Sequence, residues 1–383
     1  MKKINLYTGL FAAIMVVLTS CKNDLDVLAP GEEMVSVYGI INPNEAVQNI
    51  RINKVYLTNG DALAAAQDAN IINYDTSEIR VTLQRFIGGS TTPTLTTVGN
   101  ATKKEIVLTG TVITTATGNF SPNQTIWQTS DKLYSTGNYK LTIKIKSTTG
   151  KEITSTTTSL DSVKSYNKMP FIYLQHPNPQ MAYPMHCQYV LDSPPGTGTK
   201  QIAYVDYSNV TATSPFRIKF LSIADAKLYS VTMRFHYKSI SMTDDTTNHY
   251  ADFNFLPLKS STLAGGEVME VSFNPPDFYT NLALEINKNN ETNVKTRVSH
   301  YMEYIIYAGD DNLNTFLQIN QPSNTIAQDK PNYSNINGGV GVFATRSRST
   351  ITKELWSSFI DQIADNPATS SLLFNKNYTF MCP

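Results

Sequence analysis

Polar and apolar residues alternate along most of this chain. Residues 79–86 show the rhythm cleanly: Ile79, Val81 and Leu83 are separated by Arg80, Thr82 and Gln84, the period of a strand with one buried face. The same alternation predicts strands over 34–41, 49–57 (Ile50, Ile52 and Val55 inward), 104–113, 124–129 and 139–147, and a Thr/Ser-rich strand over 151–159. After a linker at 165–170 it resumes over 171–174, 188–191, 201–207, 216–220, 227–237, 250–256, 267–273 and 294–307, with 316–319 extending that last sheet. Within 294–307, Val298, Tyr301 and Tyr304 fall among polar partners. Asn42-Pro43-Asn44 and Asn59-Gly60-Asp61 are turn signals. Helical spacing occurs at two places only. Residues 62–69 are Ala-rich and follow Asp61 as a cap. Residues 353–364 space Leu355, Trp356, Phe359, Ile360 and Ile363 as one apolar face of a helix packed on a sheet. Short strands divided by turns predict a mainly β fold: an antiparallel, Ig-like β-sandwich over 34–164, then a second β-rich domain over 171–383 closed by the amphipathic helix.

The alternation is absent at the N-terminus. Lys2 and Lys3 precede an apolar run from Leu6 to Leu18, followed by Thr19, Ser20 and Cys21. Residues 1–20 therefore read as a signal peptide; the run is too short for a membrane span of roughly 20 residues. Leu18-Thr19-Ser20-Cys21 resembles the bacterial lipoprotein box, which implies that Cys21 is lipidated and becomes the first mature residue. Residues 21–33 are then a lipidated tether. Lys22-Asn23-Asp24-Leu25-Asp26 resembles the export signal of Bacteroidota surface lipoproteins. The expected location is the outer membrane, lipid-anchored, at the cell surface.

Lys+Arg and Asp+Glu are equal at 31 each. This balance argues against a nucleic-acid partner, which needs a basic face, and against electrostatic docking on anionic lipid. The anchor must work through acyl chains, and stable anchoring takes more than one. Beyond Cys21, only Cys187 and Cys382 remain. They either pair as a disulfide that ties down the C-terminus or serve as small buried hydrophobes.

Catalytic chemistry is hard to find. His176, His186, His236, His249 and His300 show no metal-ligand spacing, so no metal and no cofactor is expected. Asp310-Asp311-Asn312 with Asn314 offers oxygen ligands without the Gly and distal Glu of a calcium loop, and reads as a polar hairpin turn. No nucleophile motif occurs, so no catalytic residue is assigned. Gly338-Gly339-Val340-Gly341 lacks a phosphate-loop context; its glycines fit positive φ and close backbone approach in a loop before a strand. Arg346 and Arg348, just beyond it, are candidates for binding a carboxylate or sulfated glycan, or for solvating an edge strand. Trp127 is a candidate for stacking on a partner.

Two longer stretches carry a further resemblance. One comprises Val37-Tyr38-Gly39, Ile50-Arg51-Ile52-Asn53-Lys54, Asn59-Gly60-Asp61-Ala62-Leu63, Ala66-Gln67-Asp68 and Tyr74. The other comprises Gln321-Pro322-Ser323 and the run from Asn335 to Arg346. Both resemble a family of uncharacterised Bacteroidota surface lipoproteins. Gly339 and Val342 stand where an Asn-Gly-(Leu/Ile)-Gly-(Leu/Ile)-Phe run is expected, a mild departure. The resemblance implies a β-rich, surface-anchored protein and no reaction. Asp161-Ser162-Val163 and Asp245-Thr246-Thr247 resemble the O-glycan acceptor of Bacteroidota envelope proteins, making Ser162 and Thr246 candidate acceptors in loop-like segments.

The expected function is a non-enzymatic binding or scaffold module, accessory to an outer-membrane transporter, with an outer-membrane protein or surface glycan as partner. The alternatives are a fimbrillin-like adhesin subunit and a glycan- or peptide-processing enzyme.

Overall fold

The structure is a computed structural model. It describes residues 34–55, 61–94, 96–98, 101–116, 118, 120–146, 151–161, 173–175, 187–191, 199–205, 216–320, 333–355 and 357–376. The fold is mainly β, built on one large mixed sheet. The signal segment, Cys21, the tether and the 165–170 linker lie outside the described residues.

The first half begins with β1 (Met34–Ile41) and β2 (Gln48–Val55), an antiparallel pair. Val35, Val37, Ile50 and Ile52 turn inward as their alternation requires, whereas Val55 is exposed. The Ala-rich stretch forms two short helices, α1 (Ala62–Gln67) and α2 (Ala69–Ile72). Asp61 caps the first by accepting from the Leu63 N–H. The expected single helix breaks at Asp68, whose carboxylate caps the second by accepting from Asn70. Then follow β3 (Ile79–Phe86), the small hairpin β4 (Thr96–Val98) and β5 (Ala101–Lys103), β6 (Ile106–Thr114), β7 (Asn123–Thr129), β8 (Asn138–Ile145) and β9 (Glu152–Thr158).

In the second half, β10 (Tyr173–Gln175), β13 (Phe216–Leu221) and β17 (Val268–Phe273) form a separate small sheet. β11 (Cys187–Leu191) pairs with β12 (Thr199–Val205). The long strands β14 (Ala226–Ser241), β15 (Thr246–Asn254), β18 (Val294–Asp310) and β19 (Gly339–Leu355) lie in the order β15-β14-β18-β19, with β16 (Leu258–Lys259) also on β14. Beneath them pack α3 (Pro275–Asn287) and α5 (Ser357–Asp365), through Phe278, Leu282, Phe359 and Ile363 against Phe235, Tyr304 and Ile306. Tyr229 is wholly buried in this core, where loss of water pushes its phenol up to about 12.

The large sheet runs on from β19 through β1, β2, β7, β6, β3 and β8 to β9. It is mixed rather than purely antiparallel, because β1 and β12 both pair parallel to β19. Gly341 makes the β1 contact possible. It has φ +111°, and a Cβ there would sit 2.0 Å from the Val37 carbonyl oxygen. The far end returns to the start: Asn337 and Thr154 exchange backbone hydrogen bonds, and Ser155 Oγ donates to the Asn335 carbonyl at 2.7 Å.

The helices elsewhere also differ from expectation. Residues 316–319 belong to α4 (Asp311–Ile319), not a strand. Residues 353–355 continue β19, and the C-terminal helix starts at Ser357. α3 was not foreseen; it opens with Pro275-Pro276, which suits a first turn whose N–H groups need no intrahelical partner.

Candidate functional site

Alternation on β19 sends Thr345, Ser347 and Ser349 inward and Arg346 and Arg348 to the opposite face. The glycine segment expected as a loop is already strand from Gly339, and β19 is a central strand, between β18 and β1, not an edge. The β18–β19 register places Tyr307 beside Arg348 and Gly309 beside Arg346. Both guanidinium groups gather on the Tyr307 ring, at 5.4 Å and 6.0 Å from its centroid. Arg346 Nη2 reaches Glu45 at 2.9 Å and Arg348 Nη2 reaches Glu303 at 3.3 Å. The Nε atoms of both arginines are buried without a hydrogen-bond partner.

The network continues across the sheet. Glu303 also meets His236 Nε2 at 3.1 Å, and the His236 ring stacks on Tyr301 at 4.4 Å. Alternation with Met302 and Tyr304, which point into the core, turns Tyr301 outward. Past the bulge between Phe235 and Tyr237 the register pairs Val298 with Lys238, so Val298 also lies on the outward side although it is buried there. One strand further, Arg234 grips Asp252 with two hydrogen bonds of 2.7 and 2.8 Å and lies 4.0 Å from the Tyr250 ring centroid. The outward face is therefore aromatic and charged, with each arginine answered by a carboxylate. Tyr250 and Tyr301 are exposed on it. Toward β1, α4 covers Val342 and Ala344, and Phe316 meets Tyr38 edge-on at 5.8 Å.

Sequence reasoning found Arg346 and Arg348 but missed their companions Tyr307, Glu303, His236, Tyr301, Arg234, Asp252 and Tyr250. A strict alternation count in 301–307 would have put Tyr301, Glu303 and Tyr307 on one face. Trp127 is a correction. It sits in β7 with 2% exposure, its ring in the first-half core, and offers no surface to a partner. Thr246 is exposed, but it opens β15 and is not in a loop. Ser162, Cys21, Cys382 and the Cys187 side chain lie outside the described residues.

The proposed turn at Asp310 is instead a helix cap. Its Oδ1 accepts from the Leu313 N–H at 2.9 Å; its Oδ2 accepts from Thr157 Oγ1 at 2.5 Å and the Thr345 N–H at 3.2 Å. Those donors occupy the lone pairs a calcium ion would need. Burial pushes this carboxyl above its ordinary value, against the pull of the Thr157, Leu313 and Thr345 hydrogen bonds. A second carboxylate, the partly buried Glu291, binds Arg297 Nη2 and Ser239 Oγ at 2.8 Å each and His249 Nε2 at 2.7 Å. Arg297 in turn holds the C-terminal segment through the Leu372 carbonyl at 2.7 Å. Burial raises the Glu291 pKa, but the Arg297 and Ser239 hydrogen bonds and nearby His249 outweigh it, leaving a net depression.

His249 is poorly arranged as a relay. Thr247 Oγ1, at 2.9 Å, and Glu291 meet the same ring nitrogen, Nε2. A base oriented by a carboxylate needs one ring nitrogen for each partner. Among the described residues, no group of three or more His, Cys, Asp or Glu is placed to hold a metal, and no helix is long and apolar enough to cross a membrane. The chain matches no family model and no curated protein.

Proposed function

We propose that this protein is a lipid-anchored outer-membrane lipoprotein of the Bacteroidota surface type that binds a partner and catalyses nothing. The observation that carries the binding reading is the outward face of β15-β14-β18-β19. Tyrosine and arginine dominate binding hot spots, and here they are held in place by ion pairs, so little side-chain entropy remains to be lost on binding. The partner is an outer-membrane protein, such as a transporter, or a surface glycan. The His249 geometry favours this reading over the enzyme alternative.

The first half fits an Ig-like sandwich. β6 pairs with β3 over Ile106–Leu108 and with β7 over Thr109–Thr114, the change of partner expected where a strand turns a sandwich corner. Residues of β1, β2 and β7 share one core with those of β3, β8 and β9.

The test is to crosslink intact cells and identify what co-purifies, then repeat with Arg346→Ala and Arg348→Ala. One dominant outer-membrane partner, weakened by both changes, is expected. Turnover of a glycan or peptide by the purified protein, abolished by a single Asp, Glu or Ser substitution, would sink the proposal.

A further inference from the structure

β15 is the outermost strand of the large sheet, paired with β14 on one side only among the described residues. The register sets which of its backbone groups are free. The Phe255 N–H is donated to the Val231 carbonyl. In an antiparallel pair, hydrogen-bonded positions alternate, so the odd-numbered residues of β15 bond to β14. The N–H and C=O groups of Asn248, Tyr250, Asp252 and Asn254 therefore point away from the sheet.

They point into a groove. Two cavities of about 740 and 380 Å³ follow this edge, and Asp252 and Glu285 border both. The opposite wall is α3, where Asp277, Asn281 and Glu285 recur every four residues and so form one polar stripe. The floor is aromatic: Phe253 stacks on Phe278 at 4.9 Å, and Phe255 lies 6.0 Å from Phe273. Beyond Asn254 the edge ends at Leu256 and Pro257, before β14 pairs again with Leu258. Most carboxylates of the groove already have cations: Asp252 has Arg234, Glu270 has Arg217 and Lys219, and Glu285 has Lys288. Asp277 has none among the described residues.

We infer that this edge is a docking groove for an extended segment of a partner protein, which adds as a strand to β15, sets apolar side chains on the phenylalanine floor and places a basic residue against Asp277. Backbone pairing supplies affinity, while the floor and Asp277 supply selectivity. The groove is distinct from the Arg346/Arg348 region, so each can fail separately.

The probe is a fluorescein-labelled nonapeptide of alternating valine and lysine, titrated against the full mature chain by fluorescence anisotropy. Saturable binding is expected. Asn248→Pro removes one outward N–H at an edge position where proline is tolerated, and should weaken binding about tenfold, the cost of one backbone hydrogen bond. Asp277→Lys leaves the strand untouched and should weaken it as well. Far-UV circular dichroism checks that both variants fold. Absence of saturable binding, or binding by either variant as tight as the parent's, overturns the inference. So does dimerisation of the chain that Asn248→Pro abolishes, since the edge would then serve a second copy.

Discussion

Asp310 is buried and Glu291 partly so, and their surroundings push them in opposite directions. Asp310 sits where the halves meet, bridging Thr157 of β9 to the start of α4, with only N–H and O–H donors around it. Glu291 has Arg297 and His249 beside it. The Asp310 carboxyl ends above its ordinary value and the Glu291 carboxyl below. Neutral donors orient a buried charge without repaying its lost hydration; an adjacent cation repays it.

Breaking the better-compensated site should cost most. Arg297→Met leaves Glu291 without its strongest partner and frees the Leu372 carbonyl. A loss of about 3–5 kcal/mol is expected from urea midpoints; a loss below about 1 kcal/mol would show that the pair is not a keystone of this half. Asp310→Asn is next. The amide nitrogen, a donor, must take the place of one carboxylate oxygen; the Thr157 hydroxyl can turn to accept from it, but the Leu313 or Thr345 N–H loses its acceptor, at about 1–3 kcal/mol. Unchanged stability would mean the junction does not depend on this group.

Acid sharpens the contrast. Glu291, with a depressed pKa, contributes stability above its unfolded value near 4.5, and that contribution is lost as pH falls through its folded pKa. Asp310, with a raised pKa, imposes a cost that is full above its folded pKa and disappears as pH falls toward its unfolded value near 3.8. Between about pH 6 and 3, Arg297→Met should therefore lose less stability than the parent, and Asp310→Asn more. Parallel pH profiles for all three proteins would contradict this. The smallest effect is at the surface. Arg346→Ala and Arg348→Ala should each change stability by about 1 kcal/mol or less, because their ion pairs are partly exposed.

The strands were legible wherever one face is buried and the other wet. Ile79, Val81 and Leu83 announce β3 because the core takes every second residue. Phe316-Leu317-Gln318-Ile319 misled because a short apolar run has no period of its own; the decisive signal lay upstream in Asp310, whose carboxylate accepts from Leu313. Leu355 belongs to the apolar face of the expected helix and is fully buried, yet as the last residue of β19. Of the candidate site, the arginines were visible and their partners were not. Glu45 lies far away in sequence, and Tyr307 meets Arg348 only through the β18–β19 register, which no local pattern specifies.

The parallel pairing of β1 with β19 has a consequence in time. β1 is among the first described segments to be synthesised, and its neighbour in the sheet among the last; the hydrogen bond from Asn44 Nδ2 to the Arg348 carbonyl spans 304 positions. Contacts so distant are slow to form, since a long loop must close before any bond rewards it. Until β19 arrives, one edge of β1 stays open and Gly39 lacks the cover of Phe343. The nascent chain thus carries an open strand edge through most of its synthesis, and its period of greatest exposure to misassembly ends only when β19 is in place.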